Sequence, residues 1–225
     1  MSNKEPDKDP ATQLSSIARH SLVLGLIALL AAVALGVVNL LTAERIIAQQ
    51  REAERKALAE VFPASFHDND LLADTFILDP GVAAPRKFDL LDALQLTSPR
   101  QAYTARLDGE FAGVILPAEA HDGYSGDILL LVGILADGSI SGVRVLEHGE
   151  TPGLGDKIEL RLSDWILGFD GKTVDNPPAS GWQVLKDGGE FDQLTGATIT
   201  PRAIVTRVRN TLDFFEVNKA RLANR

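Results

Sequence analysis

Residues 103–146 read YTARLDGEFAGVILPAEAHDGYSGDILLLVGILADGSISGVRVL, a series of short apolar runs separated by turn signals. Runs 103–107 and 111–116 flank Asp108-Gly109, a pair that readily adopts the positive φ of a tight hairpin turn. They predict two antiparallel strands. Run 128–135 is almost continuously apolar, as expected of a strand buried on both faces. Run 140–146 alternates through Ile140, Val143 and Val145, and Ala136-Asp137-Gly138-Ser139 joins it to the preceding run as a second hairpin.

Downstream, residues 156–167 read as a helix with Ile158, Leu162, Trp165 and Ile166 on one side. A loop rich in Gly, Pro and Asp follows, with a weak strand near 182–185. The chain closes with an amphipathic helix after Thr200-Pro201, in which Ile204, Val208, Thr211 or Leu212, and Phe215 share a stripe. Upstream, residues 66–100 read as irregular, broken by Pro80, Pro85 and Pro99. Strands mixed with helices, without regular βαβ alternation, predict an α+β domain over residues 101–225.

Residues 21–43 contain no charged side chain, and a bilayer core needs about 20 helical residues to cross. The run is longer than the apolar core of a signal peptide, roughly 7–15 residues, so it is expected to be a retained transmembrane helix behind a tail of residues 1–20. Basic residues lie on both sides of it, which leaves orientation open. Residues 44–61 continue as a polar helical neck supported by Glu52→Arg55 and Glu52→Lys56 pairs, and Phe62-Pro63 ends it. The stretch 44–100 is thus expected to be neck and irregular linker.

Composition narrows the function. With 225 residues, a net charge of −9 and no basic cluster, the chain is a poor nucleic-acid binder. The absence of cysteine excludes disulfides, a thiolate nucleophile and Cys-ligated iron–sulfur clusters. The four histidines show no metal-ligand spacing, so no metal site is expected. Redox chemistry here requires an organic cofactor.

Two segments can carry chemistry. Glu150-Thr151-Pro152-Gly153-Leu154-Gly155 lies between a strand and the expected helix, and its glycines permit close backbone approach to a flat ligand; a plain strand-to-helix turn explains it equally. In Asp192-Gln193-Leu194-Thr195-Gly196-Ala197-Thr198-Ile199-Thr200-Pro201, Thr200 is placed as N-cap and Pro201 as first helical residue. A helix start favours an anion just upstream, phosphate above all, and Thr198 has its hydroxyl there beside the small Gly196-Ala197. The alternative is that these threonines only cap a helix. A hydrolase using Thr198 or Ser125 lacks a histidine base at triad spacing.

Asp192-x-x-Thr195-Gly196-Ala197-Thr198 resembles the motif at which a flavin transferase esterifies FMN, through its phosphate, to the last threonine. With Glu-Thr-Pro-Gly-Leu-Gly some forty residues earlier and one N-terminal span, the whole chain resembles the RnfG (RsxG) family, which belongs to the Rnf ion-translocating oxidoreductase complex. The related NqrC proteins of the sodium-pumping NADH:quinone reductase share both motifs but are typically longer.

The resemblance implies covalent FMN on Thr198, with Asp192, Thr195, Gly196 and Ala197 as the rest of the recognition motif. It implies that Thr151, Gly153, Leu154 and Gly155 pack against the flavin ring, with Glu150 and Thr200 close by and Tyr124 and Ser125 on the other side. It further implies a single-pass inner-membrane protein with residues 1–20 cytoplasmic and the FMN-binding domain periplasmic. The implied partners are RnfA, RnfB, RnfC, RnfD and RnfE, and a flavin transferase during maturation. Such a protein relays electrons in ferredoxin- and NAD-linked transfer coupled to ion translocation, and is not catalytically complete alone. The competing reading is a membrane-anchored scaffold or sensor whose FMN-like domain is empty.

Overall fold

Both expected hairpins form, and they merge into a single five-stranded antiparallel sheet in the order β1-β2-β3-β4-β5. The computed structural model describes residue 20, residues 24–33, residue 52, and residues 54–83 and 87–225. The chain divides into two compact units, Met1–Ala53 and Glu54–Arg225.

In the first unit, residues 24–33 are helical and exposed. No helix among the described residues is long and apolar enough to cross a membrane. Residues 21–23 and 34–43 of the expected span lie outside the described residues, as do residues 1–19 of the tail and 44–51 of the neck.

The second unit holds β1 (Thr75–Leu78), β2 (Arg100–Leu107), β3 (Glu110–Gly123), β4 (Gly126–Leu135) and β5 (Ile140–His148). Strand β1 and the 3₁₀ turn Leu91–Leu94 fall in the stretch expected to be irregular. Strand β3 runs past Pro117, which a central strand ordinarily excludes because proline lacks an N–H. It is tolerated because the β2–β3 register runs only from Leu107↔Glu110 to Tyr103↔Ile115. Along β4, Ile128, Leu130, Val132 and Ile134 enter the main core while Leu131 enters a second cluster on the opposite face, so the strand is buried on both sides as its sequence predicts.

The C-terminal helix α1 (Ile199–Ala223) packs on β3, and its expected stripe of Ile204, Val208, Thr211, Leu212 and Phe215 is buried. The helix expected over 156–167 is instead two 3₁₀ turns, Gly155–Ile158 and Asp164–Phe169. Glu159 is extended between them, and the Ser163 hydroxyl captures the Trp165 N–H at 3.2 Å, a local bond that competes with helix continuation. Leu162 consequently points outward, 43% exposed, while Ile158 and Ile166 stay buried. The expected strand at 182–185 reduces to one isolated parallel bridge, Val184↔Phe191.

The other face of the sheet carries residues 54–62. Expected as part of a solvated neck, this stretch is packed: Leu58, Val61 and Phe62 are buried with Tyr103, Ala105, Ile115 and Leu131. Three glycines on adjacent strands make this possible. A Cβ on Gly113 would lie 2.7 Å from the Phe62 ring, one on Gly133 2.7 Å from the Val61 side chain, and one on Gly142 2.8 Å from the Val61 carbonyl. Backbone therefore rests on backbone. Ser141 donates to the Val61 carbonyl at 2.8 Å, satisfying one acceptor left open at the helix end. Tyr103 donates its hydroxyl to Glu54 at 2.6 Å, and burial together with that carboxylate pushes the phenol pKa up, keeping it a donor.

Candidate functional site

Three separate stretches converge at one end of the sheet: the β3–β4 turn, the segment following β5, and the loop that leads into α1. Between them lies a cleft of about 460 Å³ lined by Tyr124, Glu150, Thr151, Leu154, Gly155, Gly196, Ala197, Thr198 and Ile199. Its volume falls in the range of small-molecule sites, roughly 300–1,000 Å³. Its walls are partly apolar: Tyr124 is 67%, Leu154 43% and Ile199 44% exposed.

Glu150 holds the three stretches together. Its side chain is nearly buried, at 5% exposure. One carboxylate oxygen accepts the Thr200 hydroxyl at 2.7 Å and the other accepts the Ser125 backbone N–H at 3.2 Å. The Glu150 N–H in turn donates to His148 Nδ1 at 3.1 Å, and the opposite ring nitrogen lies 2.9 Å from Glu159. Glycine is required beside the carboxylate, because a Cβ on Gly155 would sit 2.6 Å from Glu150 Oε2 and 3.1 Å from Thr200 Oγ1.

Thr200 is therefore not the N-cap expected from its position before proline. Helix α1 begins at Ile199 with Thr198 as the cap residue, and the Thr198 side chain makes no capping hydrogen bond. The Thr198 carbonyl accepts the Arg202 N–H at 3.4 Å, which orients the first turn. Gly196 has φ 83, a left-handed conformation that lets the loop turn tightly against Leu154. The result is a threonine hydroxyl at a helix start, without a backbone partner, at the edge of a cleft.

The other expected site residues are distributed unevenly. Ser125 contributes its backbone to the latch and does not line the cleft. Gly153, φ 80, shapes the turn in which the Leu154 and Gly155 N–H groups donate to the Thr151 carbonyl. Asp192 and Thr195 line a neighbouring groove with Lys157, Ser163 and Trp165, and the Trp165 indole donates to the Asp192 carbonyl at 2.7 Å. Ile199 lines the cleft and carries no motif signal beyond its place after Thr198. No group of acidic, His or Cys side chains suited to a metal occurs among the described residues.

His121 and Asp127 flank the β3–β4 turn. His121 Nδ1 lies 2.9 Å from the Asp127 carboxylate and Nε2 lies 2.8 Å from the Gln95 carbonyl. Both partners only accept, so a doubly protonated ring satisfies both. The Asp127 hydrogen bond above all, with the Gln95 carbonyl and the Glu119 charge, raises the His121 pKa against a smaller desolvation effect. A raised folded-state pKa gives stability that is fully present below the ordinary histidine value near 6.5 and is lost as pH rises through the folded value. His121→Asn should lower the thermal midpoint below about pH 6 and make no difference in alkali. The effect should not exceed about 1 kcal/mol, because the pair is solvent-screened.

Comparison with known proteins fits this arrangement. The FMN-binding domain family matches residues 123–213, which includes the whole cleft, and the RnfG N-terminal region matches residues 8–61. The RnfG-type component of the ion-translocating oxidoreductase complex of Pseudomonas aeruginosa (strain UCBPP-PA14) is 48% identical over 217 residues, covering 95% of each chain. The chain belongs to the RnfG family. The counterpart from Shewanella loihica is 43% identical over 93% of this chain and 94% of its own, and that from Vibrio cholerae (strain O395) 41% over 94% and 96%. Among solved structures, NqrC of Shewanella oneidensis superposes with a TM-score of 0.50 at 20% identity, covering 77% of this chain and all of its own. That likeness shows a shared fold, and the sequence relatives place the chain with RnfG rather than NqrC.

Proposed function

We propose that the chain is the membrane-anchored flavoprotein component of an Rnf-type ion-translocating oxidoreductase, relaying electrons through FMN joined to Thr198 by a phosphoester. The observation that carries this reading is the Thr198 hydroxyl, uncapped at the start of α1 and opening onto the cleft. The cleft fits such a group. The start of α1 favours a phosphate on its cap residue, Gly155 and Gly196 keep the walls clear, and Leu154 and Tyr124 offer apolar surface to a flat ring.

In this reading Thr198 anchors the phosphate, while Thr151, Leu154, Gly155, Ala197 and Ile199 border the ring. Glu150, Thr200 and the Ser125 backbone keep the walls in register. Asp192, Thr195, Gly196 and Ala197 form the surface a flavin transferase grips, and Asp192, Thr195 and Gly196 are exposed. Attachment forms one bond between Thr198 Oγ1 and phosphorus, with net loss of water relative to threonine plus FMN. Bound FMN supplies reversible uptake of one or two electrons, chemistry that no side chain of a cysteine-free protein offers. RnfA, RnfB, RnfC, RnfD and RnfE are the partners, the span over 21–43 anchors the chain in the inner membrane, and the second unit faces the periplasm. Ferredoxin- or NAD-linked electrons enter through those partners.

The test is the intact mass of the detergent-purified protein from cells containing an active flavin transferase. A gain of one FMN less a water is the expected result. An unmodified mass would sink the relay reading and leave a scaffold with an empty flavin-like domain.

A further inference from the structure

The Glu150 carboxylate stands apart from the other acidic groups of the second unit. It is buried, it lines the cleft, and among the described residues it is neutralised by no salt bridge. Both of its oxygens accept hydrogen bonds, from the Thr200 hydroxyl and the Ser125 N–H, the arrangement of a carboxylate rather than a carboxylic acid. This structure holds a full negative charge at the wall of a site whose neighbours are Leu154, Gly155 and Ala197.

We propose that Glu150 sets the reduction potential of the flavin in this cleft, beyond its role as a latch; the inference rests on the FMN reading above. Each electron taken up there adds one negative charge unless a proton accompanies it. Any uncompensated charge is repelled by the carboxylate, and the repulsion is strong because little water intervenes. Glu150 thus disfavours the reduced state and holds the potential low. Exposed acids such as Glu147 act through water and counterions and have far less influence.

The experiment is a spectroelectrochemical titration of the full chain, matured by the transferase and purified in detergent, with flavin content fixed by intact mass. Glu150→Gln keeps the shape of the side chain and an oxygen for Thr200 while removing the charge. Its potential should shift to more positive values, and the shift should persist at high salt. Glu147→Gln, the surface control, should match wild type. Thr200→Val keeps the charge but removes its closest donor, and should move the potential to more negative values; it serves also if Glu150→Gln fails to fold. A flavin-loaded Glu150→Gln protein whose potential equals that of wild type would reduce Glu150 to a latch and overturn the proposal. So would a Thr200→Val shift that is absent or positive. Wild type lacking flavin would be a different failure, overturning the assignment of the site itself.

Discussion

Thr198→Ala is expected to abolish covalent flavin entirely while the domain still folds. The two outcomes separate because the hydroxyl has no structural duty: Thr198 occupies the cap position of α1 but its side chain donates to and accepts from no backbone group of the first turn. Removing a working N-cap costs about 1 kcal/mol, so removing an idle one should cost less, on the order of 0.5 kcal/mol. Neighbouring threonines cannot substitute. The Thr200 hydroxyl is buried against Glu150, and Thr195 lies along the adjacent groove rather than in the cleft. Intact mass and in-gel flavin fluorescence read the first outcome, and a thermal melt reads the second. Retention of covalent flavin on the alanine variant would move the attachment point elsewhere. Thr198→Ser, which keeps a hydroxyl, should keep attachment.

The largest loss of stability is expected at Gly133, on the sheet face opposite the cleft-forming helix. An alanine Cβ there would lie 2.3 Å from Ser141 Oγ, 2.7 Å from Val61 Cγ1 and 2.8 Å from the Val61 carbonyl. The serine can rotate, but the Val61 contacts include backbone, so residues 60–62 must lift from the sheet. Overpacking of this kind costs about 1–3 kcal/mol, and partial exposure of Phe62 adds to it. For a domain of this size that corresponds to a fall in melting temperature of roughly 4–10 °C. Gly138→Ala is a useful contrast: there the nearest atom, at 2.6 Å, is the far end of the flexible Glu216 side chain, although φ 97 adds backbone strain. A Gly133→Ala protein melting with wild type would show that residues 54–62 are not seated on the sheet.

The parts of the fold legible in the sequence were those with strong periodicity. Residues 128–135 could only be a doubly buried strand, and the stripe from Ile204 to Phe215 could only be an amphipathic helix. Residues 156–167 misled because Ile158, Trp165 and Ile166 do face inward, yet at the spacing of two 3₁₀ turns broken by Glu159 and Ser163. Strand β1 was hidden because its four residues pair with only one neighbour. The seating of residues 54–62 was invisible, since glycines on three strands reveal their partner only in space. At the site, the motif around Thr198 was readable and its consequence for Thr200 was not. A threonine before proline looks like a cap, and only the fifty-residue reach of Glu150 back to it turns its hydroxyl inward.

The glycine floor also has a mechanical meaning. A joint needs room for side chains to slide and backbone free to change its dihedral angles. Where carbonyls of residues 60 and 61 press directly on Gly133 and Gly142, neither is available. Residues 54–62 therefore behave as a welded bracket rather than a hinge: a twist or tilt applied at Glu54 turns the sheet, and with it the cleft, as one rigid piece. The cleft cannot be swung between partners by bending at this stretch, so the distances over which it exchanges electrons must be set by how the bracket is mounted.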